Sequence, residues 1–252
     1  MDVVLFDVDG TLAETEERHR QAFNRAFADF GLTEAWSVQT YRRLLRVTGG
    51  KERIAVGLRE SGRDPLAEAV AHIHARKTEL FVAGVRANPI GLRPGVARLL
   101  RGAAACGVTV GLATTTTEAN LDALLAPHFG QGWRDLFSVI VAGDQVARKK
   151  PYPDVYLAAL AALGIDPGHV DVVAVEDSRA GVRAALAAGL TVVATRSLYC
   201  ADDDLSEAAC VLPDLGDPES PWPQRHPAFK SGWVEFDDLR RLAAAGRARS
   251  AA

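Results

Sequence analysis

Cysteine is scarce. The 252 residues contain three, Cys106, Cys200 and Cys210, odd in number, unclustered and without the spacing of a metal-ligand set. This argues against a disulfide scaffold and leaves reduced structural thiols as the expectation. No apolar run approaches the length of a membrane span. The first apolar stretch lasts four residues before an acid, too short for a secretory leader. The net charge of −3 offers nothing to nucleic acid or to an anionic membrane. Internal repeats and low-complexity tracts are also missing. The expectation is a soluble, cytoplasmic, monomeric protein with no membrane or nucleic-acid partner. Its length and 48% hydrophobic content allow a substantial core plus an insertion.

The most informative stretch is Asp7-Val8-Asp9-Gly10-Thr11, directly after Val3-Val4-Leu5-Phe6. A run apolar at every position fits a central strand covered on both faces, as in a parallel α/β sheet. Ligands of open α/β sheets bind at the carboxyl ends of the strands, which is where Asp7 stands. Asp9 projects toward the same site, and Gly10 lets the chain turn away. Two carboxylates at about 4 Å repel by roughly 4 kcal/mol at an effective dielectric near 20. They need a cation, a proton or both.

Three more buried-strand patterns end in polar groups. Val108 to Ala113 runs into Thr114, Thr115, Thr116 and Thr117, a pattern that also suits strand-end or helix-capping chemistry. Ser138-Val139-Ile140-Val141 precedes Arg148-Lys149-Lys150-Pro151, where the proline fits a helix start and holds the preceding lysine extended. Val172 to Val175 leads to Glu176-Asp177-Ser178, with Gly181 beyond. Alone, an acidic pair there would be a helix-dipole cap.

These four motifs, in this order, resemble the haloacid dehalogenase superfamily. The resemblance implies that Asp7 is a nucleophile and Asp9 a general acid and base. It further implies that Thr114 donates a hydrogen bond to a phosphoryl oxygen, with the Thr115 backbone N–H as a second donor, and that Lys150 reaches the phosphate. Lys149 is the weaker choice. The implied cofactor is Mg²⁺, held by Asp7, the Asp9 backbone carbonyl, Asp177 and Glu176, the last directly or through water. Such an oxygen set suits the ion.

Between Leu12 and Pro94 no strand pattern occurs. Ala22, Phe23, Ala26, Phe27 and Phe30 recur at helical spacing before Gly31. Further helices are expected to end at Tyr41 to Leu45, to cover Lys51 to Glu60, and to cover Pro65 to Ala87, with Asn88-Pro89 closing the insertion. Strand–helix alternation resumes at Leu92-Arg93-Pro94-Gly95, so the fold class is α/β, a doubly wound, mostly parallel sheet with an inserted helical cap. The predicted division is a discontinuous core, 1–14 and 92–252, and a cap, 15–91. An insertion of this kind resembles the β-phosphoglucomutase-like branch, whose cap opens by a hinge, here near 13–16 and 88–93.

Gly49-Gly50-Lys51 at a predicted helix start suits a second anionic group on the substrate. Together with Glu14 to His19 and His74 to Glu79, the cap motifs resemble phosphatases of Calvin-cycle operons that act on xylulose 1,5-bisphosphate. That likeness makes Glu16, His19, Tyr41, Gly50, Lys51 and Lys77 candidates for sugar and distal-phosphate contacts. The implied reaction is removal of phosphate from a small phosphorylated sugar. The rivals are a β-phosphoglucomutase-type mutase and, in a different class, a non-catalytic sugar-phosphate sensor. Asp9 and Asp177 count against a dehalogenase. Charge counting over four acids, a phosphate, Mg²⁺ and Lys150 leaves the site negative, which predicts that one acid, Asp9, keeps its proton.

Beyond Leu212, Pro213 to Trp233 is expected to be a long ordered loop lying on the core or on a partner. A helix should follow from Glu235 to Ala245, with a frayed end from Gly246.

Overall fold

The computed structural model of the chain describes residues 3–166 and 170–250. β1 (Val3–Phe6) is buried at every position. Val4 and Phe6 enter one apolar cluster while Val3 and Leu5 enter another on the opposite face, as the two-residue period of a strand requires. It pairs in parallel with β2 (Thr109–Ala113) on one side and β4 (Val172–Glu176) on the other. β3 (Val139–Val141) extends the first side; β5 (Thr191–Thr195) and β6 (Cys210–Leu212) extend the second. The order β3-β2-β1-β4-β5-β6 is parallel throughout and reverses direction of winding at β1 and β4. This is the switch point at which such sheets open a crevice beyond their carboxyl ends.

After β1 the chain leaves the sheet at Ala13 and returns at Leu92, where the two passages form a β-bridge. Between them lie α1 (Glu16–Asp29), α2 (Val38–Leu44), α3 (Gly50–Glu60) and α4 (Ala67–Ala87), with no strand among the described residues. These four helices gather around an apolar cluster of their own that includes Phe23, Phe27, Trp36, Tyr41, Ile54 and Leu58. Aromatic packing fixes it: Trp36 sits 5.0 Å from Phe23 and 4.8 Å from Phe27, ring centre to ring centre. The returning chain forms α5 (Val96–Gly102), α6 (Glu118–Phe129) after β2, α7 (Asp154–Leu163) after β3, and α8 (Arg179–Ala187) after β4. No described helix is long and apolar enough to cross a membrane.

The segment after β6 does lie on the core. Trp222, Phe229 and Val234 are buried in the same cluster as Phe6, Trp222 meets Phe229 edge-on at 5.5 Å, and its indole N–H donates to Asp214 at 2.9 Å. α9 (Phe236–Ser250) then continues past the expected end at Ala245. The frayed end expected from Gly246 gives way to helix as far as Ser250, because Leu239 and Ala243 bury one face and Gly246 lies against Thr191 with no room for a Cβ. Residues 251 and 252 lie outside the described residues.

Trp222 therefore belongs to the core although it sits in a proline-rich loop. Trp222→Ala should cost about 3–5 kcal/mol in urea unfolding, the range for a large buried aromatic. A loss below about 1 kcal/mol, typical of a surface position, would show that the segment does not support the fold.

Candidate active site

The sheet register builds the site. Phe6 pairs with Leu112 and Val175, so Asp7 emerges level with Ala113 and Glu176, and its N–H donates to the Val175 carbonyl at 3.0 Å. One oxygen each from Asp7, Glu176 and Asp177 falls within a mutual 4.8 Å, and all three residues are buried. Two glycines make the approach feasible. Gly10, at φ +83°, would place a Cβ 2.1 Å from Asp177 Oδ2, and Gly181 would place one 2.0 Å from Glu176 Oε2.

Lys150 is buried among these acids. Its ammonium donates at 2.6 Å both to Asp7 Oδ1 and to Glu176 Oε1, and Tyr156 adds an O–H bond of 2.5 Å to the same Glu176 oxygen. Thr11 and Ser197 donate to Asp177 at 3.4 and 2.6 Å. One cation facing three carboxylates leaves the group under-neutralised. Burial, reinforced by Glu176 and Asp9 and opposed by Lys150, raises Asp7 to about 7. Burial, with Asp7 and Glu176, raises Asp177 well above the usual range. Burial works against the Lys150 ammonium, yet Asp7 and Glu176 outweigh it and hold its proton firmly. Three buried oxygen donors with surplus negative charge are what a hard divalent cation requires, so the residues fit Mg²⁺.

Asp9 has different surroundings. Its Oδ1 accepts from Thr15 Oγ1 at 2.6 Å and from His19 Nε2 at 3.0 Å. His19 Nδ1 in turn lies 2.8 Å from Lys77 Nζ. An ammonium can only donate, so Nδ1 accepts and Nε2 carries the hydrogen given to Asp9. His19 is neutral in this chain: burial and the Lys77 charge lower its pKa. Burial lowers Lys77 to about 8, which leaves it protonated at neutral pH. Burial alone would raise Asp9, but His19, Thr15 and Lys77 together pull it below the usual carboxylate range. The charge count that leaves a proton on Asp9 applies to the site with phosphate and Mg²⁺ bound; in the ligand-free protein the Asp9 carboxyl is held low. Without a cation it is Asp7 and Asp177 whose carboxyls are raised, because burial and the neighbouring carboxylates outweigh the donors they have. Both bonds to Asp9 fall on Oδ1.

The Thr run forms the opposite wall. Thr114 Oγ1 accepts from the Thr116 N–H at 3.2 Å, and Thr116 Oγ1 accepts from Asn120 Nδ2 at 3.0 Å. Asn120 lines the crevice with Thr114 and Thr115, and its Oδ1 is buried without a partner among the described residues. Lys149 points elsewhere, to the Gly143 carbonyl.

Across the crevice stand Glu16, His19, Gly50, Arg53, His74 and Lys77. Tyr41 lies behind them, its hydroxyl donating to Glu16 at 2.7 Å and accepting from Arg53 at 3.2 Å. Thr48 closes the gap by donating to the Lys150 carbonyl. Lys51 is not among the residues lining the crevice. Helical geometry puts Arg53, one turn after Gly50, on the crevice side and Lys51 off it. Arg53 and Asn120 were each legible one turn beyond a glycine pair or threonine run that did stand out. Tyr156 follows Pro151 by five residues, and its contact with Glu176 carried no local signal. Ser197 carried no local signal.

A family profile described as haloacid dehalogenase-like hydrolase matches residues 1–189. The plasmid-borne protein CbbY of Cupriavidus necator is 46% identical over 245 residues, covering 95% of this chain and 96% of that protein. CbbY of Rhodobacter capsulatus is 52% identical over 215 residues, covering 85% and 94%. Among solved structures, a variant of CbbY from Rhodobacter sphaeroides in complex with xylulose-(1,5)bisphosphate superposes with a TM-score of 0.80 at 46% identity, covering 85% of this chain and 94% of that one. With the profile spanning most of the chain and the carboxylate–lysine site at its strand ends, this protein belongs to the haloacid dehalogenase-like hydrolase family.

Proposed function

We propose that the chain is a Mg²⁺-dependent phosphatase acting on a small sugar bisphosphate of the xylulose 1,5-bisphosphate type, through an aspartyl phosphate. The observation that carries the reading is the pair of aspartates two residues apart in different environments. Asp7 is grouped with Lys150, Glu176 and Asp177, whereas Asp9 is tied to His19 and Lys77 on the helical side. Environments that separate two titratable groups assign them different roles.

Asp7 attacks phosphorus through a carboxylate oxygen, and the bond from phosphorus to the sugar oxygen breaks as Asp9 gives that oxygen a proton. A substrate phosphate adds negative charge beside Asp9 and raises its proton affinity, so it is protonated in the complex. Oδ1 is held by Thr15 and His19, and Oδ2 faces the leaving group. Asp9 then takes a proton from the water that attacks the aspartyl phosphate, and inorganic phosphate leaves. Lys150 and Thr114 bind phosphoryl oxygens, with the Thr115 N–H as a further donor. Asp7, the Asp9 carbonyl, Asp177 and Glu176 would hold Mg²⁺, which when bound offsets the charge of the acids and of the phosphate.

Residues 15–91 act in this reading as a cap over a core of 1–14 and 92–252, with Glu16, His19, Tyr41, Gly50 and Lys77 shaping the sugar pocket. The solved relative carrying xylulose-(1,5)bisphosphate supports the choice of a bisphosphate. Arg53, rather than Lys51, is the cation placed to receive the distal phosphate, because it lines the crevice.

Arg53→Lys keeps the charge but loses the planar fork. Catalytic efficiency on xylulose 1,5-bisphosphate should fall roughly 10- to 100-fold, as for loss of a charge-assisted contact, while p-nitrophenyl phosphate, with no second phosphate, changes little. Equal losses would remove Arg53 from the distal site. Conversion of a hexose 1-phosphate to the 6-phosphate, without phosphate release, would instead identify a mutase.

The metal assignment makes a pH prediction. Asp7 is raised from 3.8 to about 7 in the cation-free protein, so its contribution to stability is present at low pH and is lost as pH rises through about 7. A bound cation reverses that loss. The increase in melting temperature on adding Mg²⁺ should therefore be small at pH 5 and larger at pH 8. A shift independent of pH, or none at all, would contradict Asp7 as a ligand.

A further inference from the structure

The two chain passages between sheet and helical layer meet at one buried side chain that the proposed chemistry does not use. Arg93, the residue after Leu92, is 9% exposed. Its Nη1 donates to the Gly10 carbonyl and, at 2.9 Å, to Thr195 Oγ1. Its Nη2 donates to the Arg196 carbonyl at 2.5 Å and to the Pro213 carbonyl at 2.8 Å. Its Nε lies 3.5 Å from Glu14 Oε1. The Arg93 backbone N–H also donates to the Leu12 carbonyl at 2.8 Å. One guanidinium thus joins the loop after β1, both passages, and the ends of β5 and β6.

Such an arrangement is more than packing. A guanidinium holds its five donors in a rigid plane, and here they are spread over carbonyls from separate segments. The Gly10 carbonyl belongs to the peptide that follows Asp9 by one residue. The same turn is closed from its other side by the Gly10 N–H donating to Ala13 at 2.9 Å. Glu14, on the far flank of that turn, accepts from the Leu198 N–H at 3.2 and 3.1 Å. Movement of the helical layer must pass through residues 13–14 and 91–93, because the chain crosses only there. Without a fixed anchor, that movement would be transmitted to the loop carrying Asp9.

We infer that Arg93 is a positioning residue: it fixes the turn that carries Asp9 against the sheet while the adjoining passages flex, so that the proton donor keeps its register with the leaving oxygen. The inference rests on Asp9 acting as the proton donor in the proposed phosphatase reaction. Lysine in place of Arg93 keeps the charge but cannot reach the same set of carbonyls. The defect should then appear in proton donation, not in phosphate binding.

The test compares Arg93→Lys with the wild type on xylulose 1,5-bisphosphate, whose leaving alkoxide needs a proton, and on p-nitrophenyl phosphate, whose leaving group does not. The expected result is a fall in kcat of roughly 10- to 100-fold on the sugar substrate, the scale of a misplacement of about 1 Å. KM on the sugar and kcat on p-nitrophenyl phosphate should stay near wild type. Thr195→Val, which removes one anchor and leaves the arginine, serves as the milder variant and should show the same split at smaller amplitude if Arg93→Lys does not fold. Equal falls on both substrates, or unchanged kcat in the folded variants, would overturn the inference. A wild type inactive on both substrates would refute the phosphatase reading itself.

Discussion

Lys150 lies 2.6 Å from Asp7 and from Glu176, and much else in the structure follows from keeping that ammonium between buried acids. Taking charges out of water is costly unless they are paired and fully hydrogen-bonded. Lys150 balances only part of the negative charge, which makes the site a receptor for more positive charge and, behind it, for a phosphate. The sheet supplies the geometry by bringing Asp7 level with Glu176. Gly10 and Gly181 supply the space, since a methyl group at either would collide with a carboxylate.

The second aspartate completes the division of labour. Asp9 is the same residue type two positions along, yet its donors come from the helical layer: Thr15 and His19, with Lys77 behind. Seating that layer therefore completes the environment of Asp9 and narrows the crevice in a single act. Contacts at the rim serve the same end, with Thr48 bonded to the Lys150 carbonyl and Tyr199 to Glu17.

The fold class and the core motifs were legible because each motif follows an apolar strand, so local pattern and position agree. Val3 to Phe6, Val108 to Ala113 and Val172 to Val175 announced themselves by composition, as did the helix that carries Phe23 and Phe27. The cap side of the site was less legible. Lys51 and Arg53 differ by two residues, and only the helix phase separates the one that faces the crevice. The donors that hold the Asp9 carboxyl low in the ligand-free protein were not legible, because His19 and Lys77 reach it from positions 10 and 68 residues along the chain. Arg93 and Ser197 act entirely through tertiary contacts, which leave no trace in a linear pattern.

The central claim is that Asp7 becomes phosphorylated. Rapid acid quench of the enzyme with xylulose 1,5-bisphosphate and Mg²⁺, followed by peptide mass spectrometry, tests it directly. The account predicts a transient, hydroxylamine-sensitive phosphoryl group on the peptide bearing Asp7, absent from Asp7→Asn. Full turnover with no phosphoryl group on that peptide, or with the group on another residue, would contradict it.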